Sequence, residues 1–194
     1  MKDYSHNKKY QAILEKGRDL FWKHGFRRVS IEEICRESNA SKMTFYKYFP
    51  NKLELAKAIL DEVFAESLVK IKKLSDEHES PELTFKKILQ LKSEGTRGIG
   101  EEFIKDLYIN PEADLKSYIE AKSAAMFTEM IAVYEKGKED GWVRKDLNIP
   151  FFMLYIQKSI NMFTDEEMLK FFDSSQKLIM EITNLFIYGI TPHE

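Results

Sequence analysis

Residues 27–55 of this chain read RRVSIEEICRESNASKMTFYKYFPNKLEL, and the first half of this stretch predicts a short helix. Ser30 stands three residues before Glu33, which is the spacing of a helix-capping box, so we expect the helix to begin at Ile31. Helical spacing then places three residues on one inward face: Ile31, Ile34 and Cys35.

A tight turn and a second helix follow directly. Asn39 tolerates the left-handed conformation that a sharp turn requires, and Ser41 is a typical N-cap. We expect the second helix to run from Lys42 to about Phe49, because Pro50 disfavours a helical conformation of the residue before it. The spacing of the two helices is that of a helix-turn-helix motif.

The outward face of the second helix carries basic and hydroxyl-bearing side chains. Phe45 and Phe49 lie four residues apart and face inward, which leaves six residues outside: Lys42, Met43, Thr44, Tyr46, Lys47 and Tyr48. Lysines neutralise phosphates, tyrosine hydroxyls donate to phosphate oxygens, and Thr44 can offer a hydroxyl or a methyl group to a base. A solvated helix over a small core has a similar composition, but two capped helices around a short turn favour binding to DNA.

At motif level the N-terminal segment resembles the DNA-binding domain of the TetR family of bacterial transcriptional regulators. The resemblance covers roughly the first quarter of the chain and rests on these residues: Ile13, Phe21, Gly25, Phe26, Ser30, Ile31, Ile34, Ala40, the run 44–52 and Leu55. It implies a helix-turn-helix DNA-binding domain over residues 1–52 and a helical effector-binding and dimerisation domain over residues 53–194.

The outward face and the resemblance together predict the DNA contacts. The predicted set is Arg28, Ser30, Lys42, Met43, Thr44, Tyr46, Lys47, Tyr48 and Lys52. Where the family often has a small residue early in the recognition helix, this chain has Met43. The thioether either contacts a thymine methyl group or occupies a different base register, so the operator sequence of a relative does not carry over.

Charge is distributed unevenly along a chain of 194 residues whose formal net charge is −2. Residues 1–52 hold 12 Lys and Arg against 6 Asp and Glu, a local charge of +6, whereas residues 53–194 hold 18 against 26, or −8. A basic end on an acidic body is the asymmetry expected when one end meets nucleic acid. The near-neutral total argues against a nonspecific DNA coat.

The remaining composition predicts an all-α protein of the cytoplasm. Gly and Pro are few, at 8 and 5, and no stretch alternates apolar and polar residues as strands would. One cysteine allows no internal disulfide, which fits a reducing compartment. The chain shows neither an apolar run of transmembrane length nor the hydrophobic segment of a secretory signal, so we expect no membrane partner.

The positions of Gly, Pro and capping residues, which end or begin helices, predict nine helices, three in the first domain and six in the second. The six are expected over residues 52–74, 80–94, 101–109, 110–141, 148–163 and 164–188, the last opened by a capping box of Thr164 and Glu167. The helix from Lys52 crosses into the second domain without a Gly or Pro linker.

The last two predicted helices are apolar around more of their circumference than a single buried face requires. This width and the family resemblance both predict a homodimer through a four-helix interface. The predicted interface residues are Phe151, Tyr155, Phe163, Phe171, Phe172, Ile179, Ile182 and Phe186. A dimer would place two recognition helices one turn of DNA apart, on a palindromic site.

The resemblance also implies a small-molecule effector, bound among the helices of the second domain, that changes the spacing of the two DNA-binding heads. Candidate lining residues are aromatic and methionine side chains: Phe64, Phe85, Phe103, Tyr108, Tyr118, Met126, Phe127, Met130, Tyr134 and Trp142. Residues of these types at helical spacing are more often core than pocket. A pocket lined by them would take a largely apolar effector.

Catalytic patterns are not found in the sequence. The histidines His6, His24, His78 and His193 are scattered and do not pair with Cys or carboxylates at metal-ligand spacing. We therefore expect no enzyme, no metal and no cofactor, and predict a dimeric, ligand-responsive transcriptional repressor. The alternative is a helical protein-interaction module that keeps the fold without binding an operator.

Overall fold

The structure is a computed structural model that describes residues 4, 6–77, 79–109, 112–159, 162 and 165–192. No β-strand is found among these residues, and the predicted all-α class is confirmed. The same described ranges contain ten α-helices and one π-helical segment, against nine predicted helices. No helix within them is both long enough and apolar enough to cross a membrane.

The first three helices are α1 (Lys8–His24), α2 (Ile31–Glu37) and α3 (Lys42–Tyr48), and both α2 and α3 begin directly after their predicted caps. Ser30 Oγ accepts from the Glu33 amide at 3.1 Å, and Ser41 Oγ accepts from the Thr44 amide at 3.0 Å. Between these helices Asn39 has a φ of 50°, the left-handed conformation predicted for it. The predicted helix-turn-helix is therefore confirmed.

The remaining helices are α4 (Lys52–Asp76), α5 (Pro81–Gly95), α6 (Glu101–Ile104), the π-helical segment Lys105–Ile109, α7 (Ala113–Glu139), α8 (Ile149–Ser159), α9 (Glu166–Leu169) and α10 (Ser175–Ile190). Two predictions are wrong here. The helix predicted over 101–109 changes to π geometry after residue 104. The last predicted helix is two helices, because Asp165 caps α9 and an extended Ser174 caps α10. Thr164, the predicted cap, lies outside the described residues.

Packing divides the chain into two compact units. Unit 1 comprises Met1–Val63 with Gly98–Ile119, and unit 2 comprises Phe64–Arg97 with Glu120–Glu194. Unit 1 is larger than the predicted 1–52 domain because it includes the start of α4 and a middle segment of the chain. The functional boundary after residue 52 stays a prediction.

The core of unit 1 is small and rich in aromatic rings. Phe21 and Phe26 meet edge to face with ring centres 5.4 Å apart, and the rings of Phe45 and Phe49 lie 5.8 Å apart. The aliphatic side chains buried in the same unit include Ile13, Ile34, Leu55 and Ile59. Burial of this apolar surface, at about 25 cal/mol per Å², is what holds α1, α2 and α3 together.

The middle segment, residues 98–119, packs on the C-terminal end of α1. The Gly100 amide donates to the Trp22 carbonyl oxygen at 2.8 Å, and Trp22 stacks on Phe103 with ring centres 4.4 Å apart. A side chain at residue 100 would lie 3.0 Å from the Lys23 carbonyl oxygen, so this close backbone approach depends on glycine. A distant part of the sequence therefore completes unit 1.

Lys52, at the start of α4, anchors the α1–α2 loop (residues 25–29). Its Nζ donates to the carbonyl oxygens of Phe26 at 2.6 Å, Arg27 at 3.2 Å and Val29 at 2.8 Å. The ammonium also lies 4.5 Å from the centre of the Phe26 ring. Burial lowers the pKa of Lys52, although nearby carboxylates act in the opposite direction. An ammonium has three N–H donors, and all three are used here.

Asp106, in the π-helical segment, holds the other side of the same loop. Its Oδ2 accepts from the Arg27 amide at 3.0 Å, and its Oδ1 lies 3.6 Å from Arg27 Nε. Gly25 has a φ of 84°, and a Cβ added there would lie 2.7 Å from Asp106 Oδ2. The Lys52 ammonium thus binds carbonyl oxygens of the loop and the Asp106 carboxylate binds one of its amides. Both interactions give backbone polar groups of the loop hydrogen-bond partners.

Unit 2 has its own core, centred on Trp142. The indole meets Phe85 with ring centres 5.9 Å apart and Tyr134 with ring centres 6.1 Å apart. The buried members of this core are Phe85, Val133, Trp142, Val143, Leu147, Ile149, Phe152, Met153, Ile187 and Ile190. It therefore joins α5, α7, α8 and α10.

Replacing Lys52 by Met should destabilise unit 1 by about 2–3 kcal/mol, since the change removes charge-assisted hydrogen bonds and leaves three carbonyl oxygens with poorer partners. Urea unfolding followed by tryptophan fluorescence measures the effect, with Trp22 as the reporter in this unit. Lys47→Met is the matched control on the exposed face of α3, expected to stay within about 0.5 kcal/mol of the parent. Equal effects of the two substitutions would contradict the anchoring role.

Candidate nucleic-acid interface

α3 is positioned by two phenylalanines that lie in the core of unit 1. Phe45 and Phe49 are almost completely buried, whereas the opposite side of the helix faces solvent. Ser41 and Pro50 set its two ends, so α3 is a short helix with one buried and one exposed side. This arrangement presents the predicted recognition residues together on one surface.

Lys42 and Thr44 lie on that surface and already have partners within the motif. Lys42 Nζ lies 2.5 Å from Glu32 Oε1 on α2, and this hydrogen bond is the largest effect that raises the pKa of Lys42. Thr44 Oγ1 lies 2.9 Å from Ser41 Oγ. Exposed ion pairs contribute little to stability, so the Lys42 ammonium can exchange its carboxylate for a phosphate.

Met43, Tyr46 and Lys47 extend into solvent from the same helix. The side chain of Met43 is 82% exposed and that of Tyr46 is 52% exposed. The rings of Tyr46 and Phe45 meet edge to face with their centres 5.5 Å apart, and Lys47 Nζ lies 5.5 Å from the centre of the Tyr48 ring. The described structure thus leaves an apolar, a phenolic and a cationic group projecting side by side.

Tyr48 is placed differently from the prediction that its hydroxyl donates to a phosphate. The hydroxyl donates instead to Asn7 Oδ1 at 2.9 Å, and the same oxygen caps α1 by accepting from the amides of Lys9 and Tyr10. The ring of Tyr48 also meets those of Tyr4 and Tyr10 edge on. Tyr48 therefore ties α3 to the start of α1.

Lys52 also departs from its predicted role as a phosphate contact. Its ammonium donates to three carbonyl oxygens of the α1–α2 loop, so we remove it from the DNA-contacting set. Arg28 and Ser30 remain exposed beside α2. Ser30 caps α2 through its hydroxyl oxygen. One Arg28 nitrogen lies 2.8 Å from His24 Nδ1, and the other N–H donors of the guanidinium group do not take part in this contact.

Three residues that hold this surface in place were not predicted from the sequence. Lys9 Nζ donates to the Asn39 carbonyl oxygen at 2.6 Å and so fastens α1 to the turn. Asn7 precedes the basic start of α1 and could have been found as an N-cap signal. Asp106 gives no such signal, because its contact with Arg27 joins residues 79 positions apart.

The predicted effector residues fall into both units. Five of them pack in or against the core of unit 2: Phe85, Phe127, Met130, Tyr134 and Trp142. Phe103 and Tyr118 belong to unit 1, where Tyr118 donates to Asp61 Oδ1 at 2.5 Å. Phe64 and Met126 are half-buried residues of unit 2, and the side chain of Tyr108 lies outside the described part of the structure.

Two polar groups stand out within the core of unit 2. Trp142 Nε1 is a buried donor with no hydrogen-bond partner among the described residues. Burial raises the pKa of the Tyr134 hydroxyl to about 12. An open groove of about 410 Å³ lies elsewhere in unit 2, and Phe172, Gln176 and Met180 contribute to its lining. None of the ten predicted effector residues lines this groove.

The predicted dimer residues divide by exposure. Phe151, Tyr155 and Phe171 are exposed, and Phe172 and Phe186 are half-buried. Ile179 and Ile182 are each 5% exposed, so they belong to the core of their own unit and we remove them from the interface. Phe163 lies outside the described residues. The exposed residues Leu154, Leu185 and Tyr188 were missed.

No group of three or more His, Cys, Asp or Glu side chains placed to hold a metal ion occurs in the part of the chain that the structure describes.

Residues 13–59 match the family model described as bacterial regulatory proteins, tetR family. The chain is similar to the HTH-type transcriptional regulator YuxN of Bacillus subtilis (strain 168), at 31% identity over 81 residues, which are 42% of this chain and 28% of YuxN. It is 26% identical over 144 residues to YfiR of the same organism, covering 70% of this chain and 69% of YfiR. The match to YuxN thus spans less than a third of that relative's length.

Solved structures extend the likeness to nearly the whole chain. The fatty acid degradation regulator FadR from Bacillus halodurans has a TM-score of 0.69 and 17% identity, with 93% of this chain and 95% of that chain covered. At this identity the likeness is one of fold. Residues 13–59, from within α1 to the start of α4, thus match the DNA-binding domain of the TetR family of bacterial transcriptional regulators, and beyond them the chain shares the fold of solved regulators.

Proposed function

We propose that this protein is a repressor that binds a near-palindromic operator as a homodimer in the cytoplasm and is released by a small, largely apolar effector. The observation that carries the proposal is the outward face of α3, whose basic, phenolic and apolar side chains project together from a rigidly seated helix. Such a helix fits the major groove of B-DNA, where phosphate contacts fix its register and base contacts select the sequence.

The proposed DNA contacts are those predicted residues whose groups remain free or exchangeable. They are Arg28, Ser30, Lys42, Met43, Thr44, Tyr46 and Lys47. Lys42 and Lys47 would bind phosphates by releasing counterions, and the Tyr46 hydroxyl would donate to a phosphate oxygen. Residues near the start of α3 would face base edges.

The homodimer is supported by a continuous apolar surface on α8 and α10. Phe151 is 66% exposed and Leu185 is 64% exposed, on helices that Tyr155 and Phe186 join through a ring contact at 5.6 Å. Contiguous apolar surface of this kind usually marks an interaction site. A second copy of the chain fits it, because two such helix pairs form a four-helix interface with two-fold symmetry.

The effector is proposed to bind at the Phe85–Tyr134–Trp142 cluster of unit 2. The cluster is apolar apart from two groups, the Tyr134 hydroxyl and the Trp142 indole N–H. A buried donor without an acceptor costs about 1–3 kcal/mol, and an acceptor atom on the effector would recover that cost. Effector binding and operator binding would then oppose each other by one reciprocal coupling factor.

Selection from a randomised duplex library tests the central proposal. We expect enrichment of a near-palindrome, and a log affinity that falls with log salt at a slope of about 0.9 per phosphate contacted. Failure to enrich any sequence would favour the helical protein-interaction module instead.

Lys47→Ala should weaken binding to all duplexes by a similar factor, about fivefold per subunit, and should lower the salt slope by about 0.9 per subunit, since it removes a phosphate contact. Fluorescence anisotropy over a salt series measures both quantities. Lys70→Ala, which removes the same charge from the exposed side of α4 in unit 2, is the matched control. If both variants changed the salt slope equally, net charge rather than a contact would be responsible.

Leu185→Asp should convert the dimer into a monomer, because it buries a carboxylate in the apolar interface. Size-exclusion chromatography with light scattering gives the mass directly. Val69→Asp, an exposed apolar residue of α4 outside the proposed interface, should leave the dimer intact. A wild-type protein that is monomeric at tens of micromolar, or a dimeric Leu185→Asp variant, would contradict the interface.

For the effector, compounds from an apolar library that carry a carbonyl or carboxylate would be screened for release of the protein from its selected operator. Trp142→Phe should raise the half-effective dose of an active compound about tenfold, because the ring is kept and the N–H is lost. Val69→Ala, at an exposed position of α4 in unit 2 outside the cluster and the proposed interface, should leave the dose unchanged. An unchanged dose for Trp142→Phe would place the effector elsewhere.

A further inference from the structure

The side chains of α3 differ in how many of their groups are already engaged within the protein. Lys42 pairs with Glu32, the Thr44 hydroxyl pairs with Ser41, and the Tyr48 hydroxyl donates to Asn7. The projecting side chains that remain are Met43, Tyr46 and Lys47. Thr44, which the sequence favours as the base reader, is half-buried with its hydroxyl inside the capping pair.

Met43 occupies the place on α3 that meets bases. It is the second residue of α3, two positions after the N-cap Ser41. Recognition helices contact base edges with their N-terminal residues. Tyr46 and Lys47 lie about one turn further along, where their polar ends suit phosphates.

The exposed side chain of Met43 does not contribute to the packing of unit 1. At 82% exposed, the thioether leaves its apolar surface in water, next to the basic side chain of Lys42. Insertion into the major groove would remove this apolar surface from water, and the neighbouring lysines would draw the surface towards phosphates.

The chemistry of the side chain limits what it can read. A thioether has no hydrogen-bond donor and is a weak acceptor, so it cannot make the bidentate contacts that distinguish guanine or adenine. The apolar group that DNA presents in the major groove is the C5-methyl group of thymine. Methionine is flexible and polarizable, which suits a close contact with a methyl group.

We propose that Met43 is the specificity-determining residue that reads a thymine through its C5-methyl group, one in each half of the operator. This inference rests on the proposed operator binding and names the chemistry by which the sequence is selected. Loss of one methyl contact corresponds to about fourfold in affinity, and loss of the symmetric pair in a dimer to about fifteenfold.

The test replaces thymines of the selected operator by deoxyuridine, one symmetric pair at a time, which deletes the methyl group and keeps base pairing. For the wild-type chain we expect one pair of positions to cost about fifteenfold in affinity. For Met43→Ala the same replacement should cost less than about twofold, and its affinity for the unmodified operator should already be reduced about fifteenfold.

Two matched variants separate methyl reading from general weakening. Met43→Leu keeps an apolar side chain and should retain most of the sensitivity to deoxyuridine. Lys47→Ala should bind every duplex more weakly, yet lose the same factor as wild type at the same pair of positions. Circular dichroism checks that the variants fold, as expected for changes at exposed positions.

Three results would overturn the inference: a half-site without thymine, no sensitive position, or a deoxyuridine effect of equal size in wild type and Met43→Ala. The last would assign the methyl effect to another residue or to DNA shape. A protein that selects no operator loses the proposed function as well. Failure of the deoxyuridine series on a bound operator removes the methyl reading alone.

Discussion

The α1–α2 loop, held between the Lys52 ammonium and the Asp106 carboxylate, is the constraint on which the DNA-binding unit depends. A left-handed Gly25 turns the chain out of α1, and the following backbone must find partners without a helix or a strand. Lys52 donates hydrogen bonds to three carbonyl oxygens of the loop, and Asp106 accepts one from the Arg27 amide. The direction in which α2 leaves α1, and with it the position of α3, follows from this pair of charges.

The use of charges inside unit 1 determines which charges remain for DNA. Lys52 and the Tyr48 hydroxyl form hydrogen bonds within the unit. Lys42 pairs with Glu32 at the surface, where replacing the carboxylate by a phosphate costs little free energy. The basic excess of residues 1–52 is therefore smaller at the outer face than the sequence count suggests. The methyl contact proposed for the exposed Met43 would make apolar contact a larger share of specificity than hydrogen bonds.

The same principle of two faces governs unit 2. On α10, Ile179 and Ile182 turn into the core of their own unit, whereas Leu185 and Tyr188 face outward. Composition could not separate the two sets, because both are apolar and the helix is wide in its hydrophobic coverage. In the same way the aromatic candidates for an effector site divided between the units once the segment 98–119 was found to pack with α1.

Short-range spacing alone predicted the local structure of this protein: the caps at Ser30 and Ser41, the left-handed Asn39 and the inward Phe45 and Phe49. These features depend on residues within four positions of one another, so their chemistry is legible from spacing alone. The roles of Lys52, Tyr48 and Asp106 depend instead on tertiary contacts. Their partners lie 23 to 79 residues away, and a lysine or tyrosine has the same chemistry whether it meets a backbone carbonyl or a phosphate.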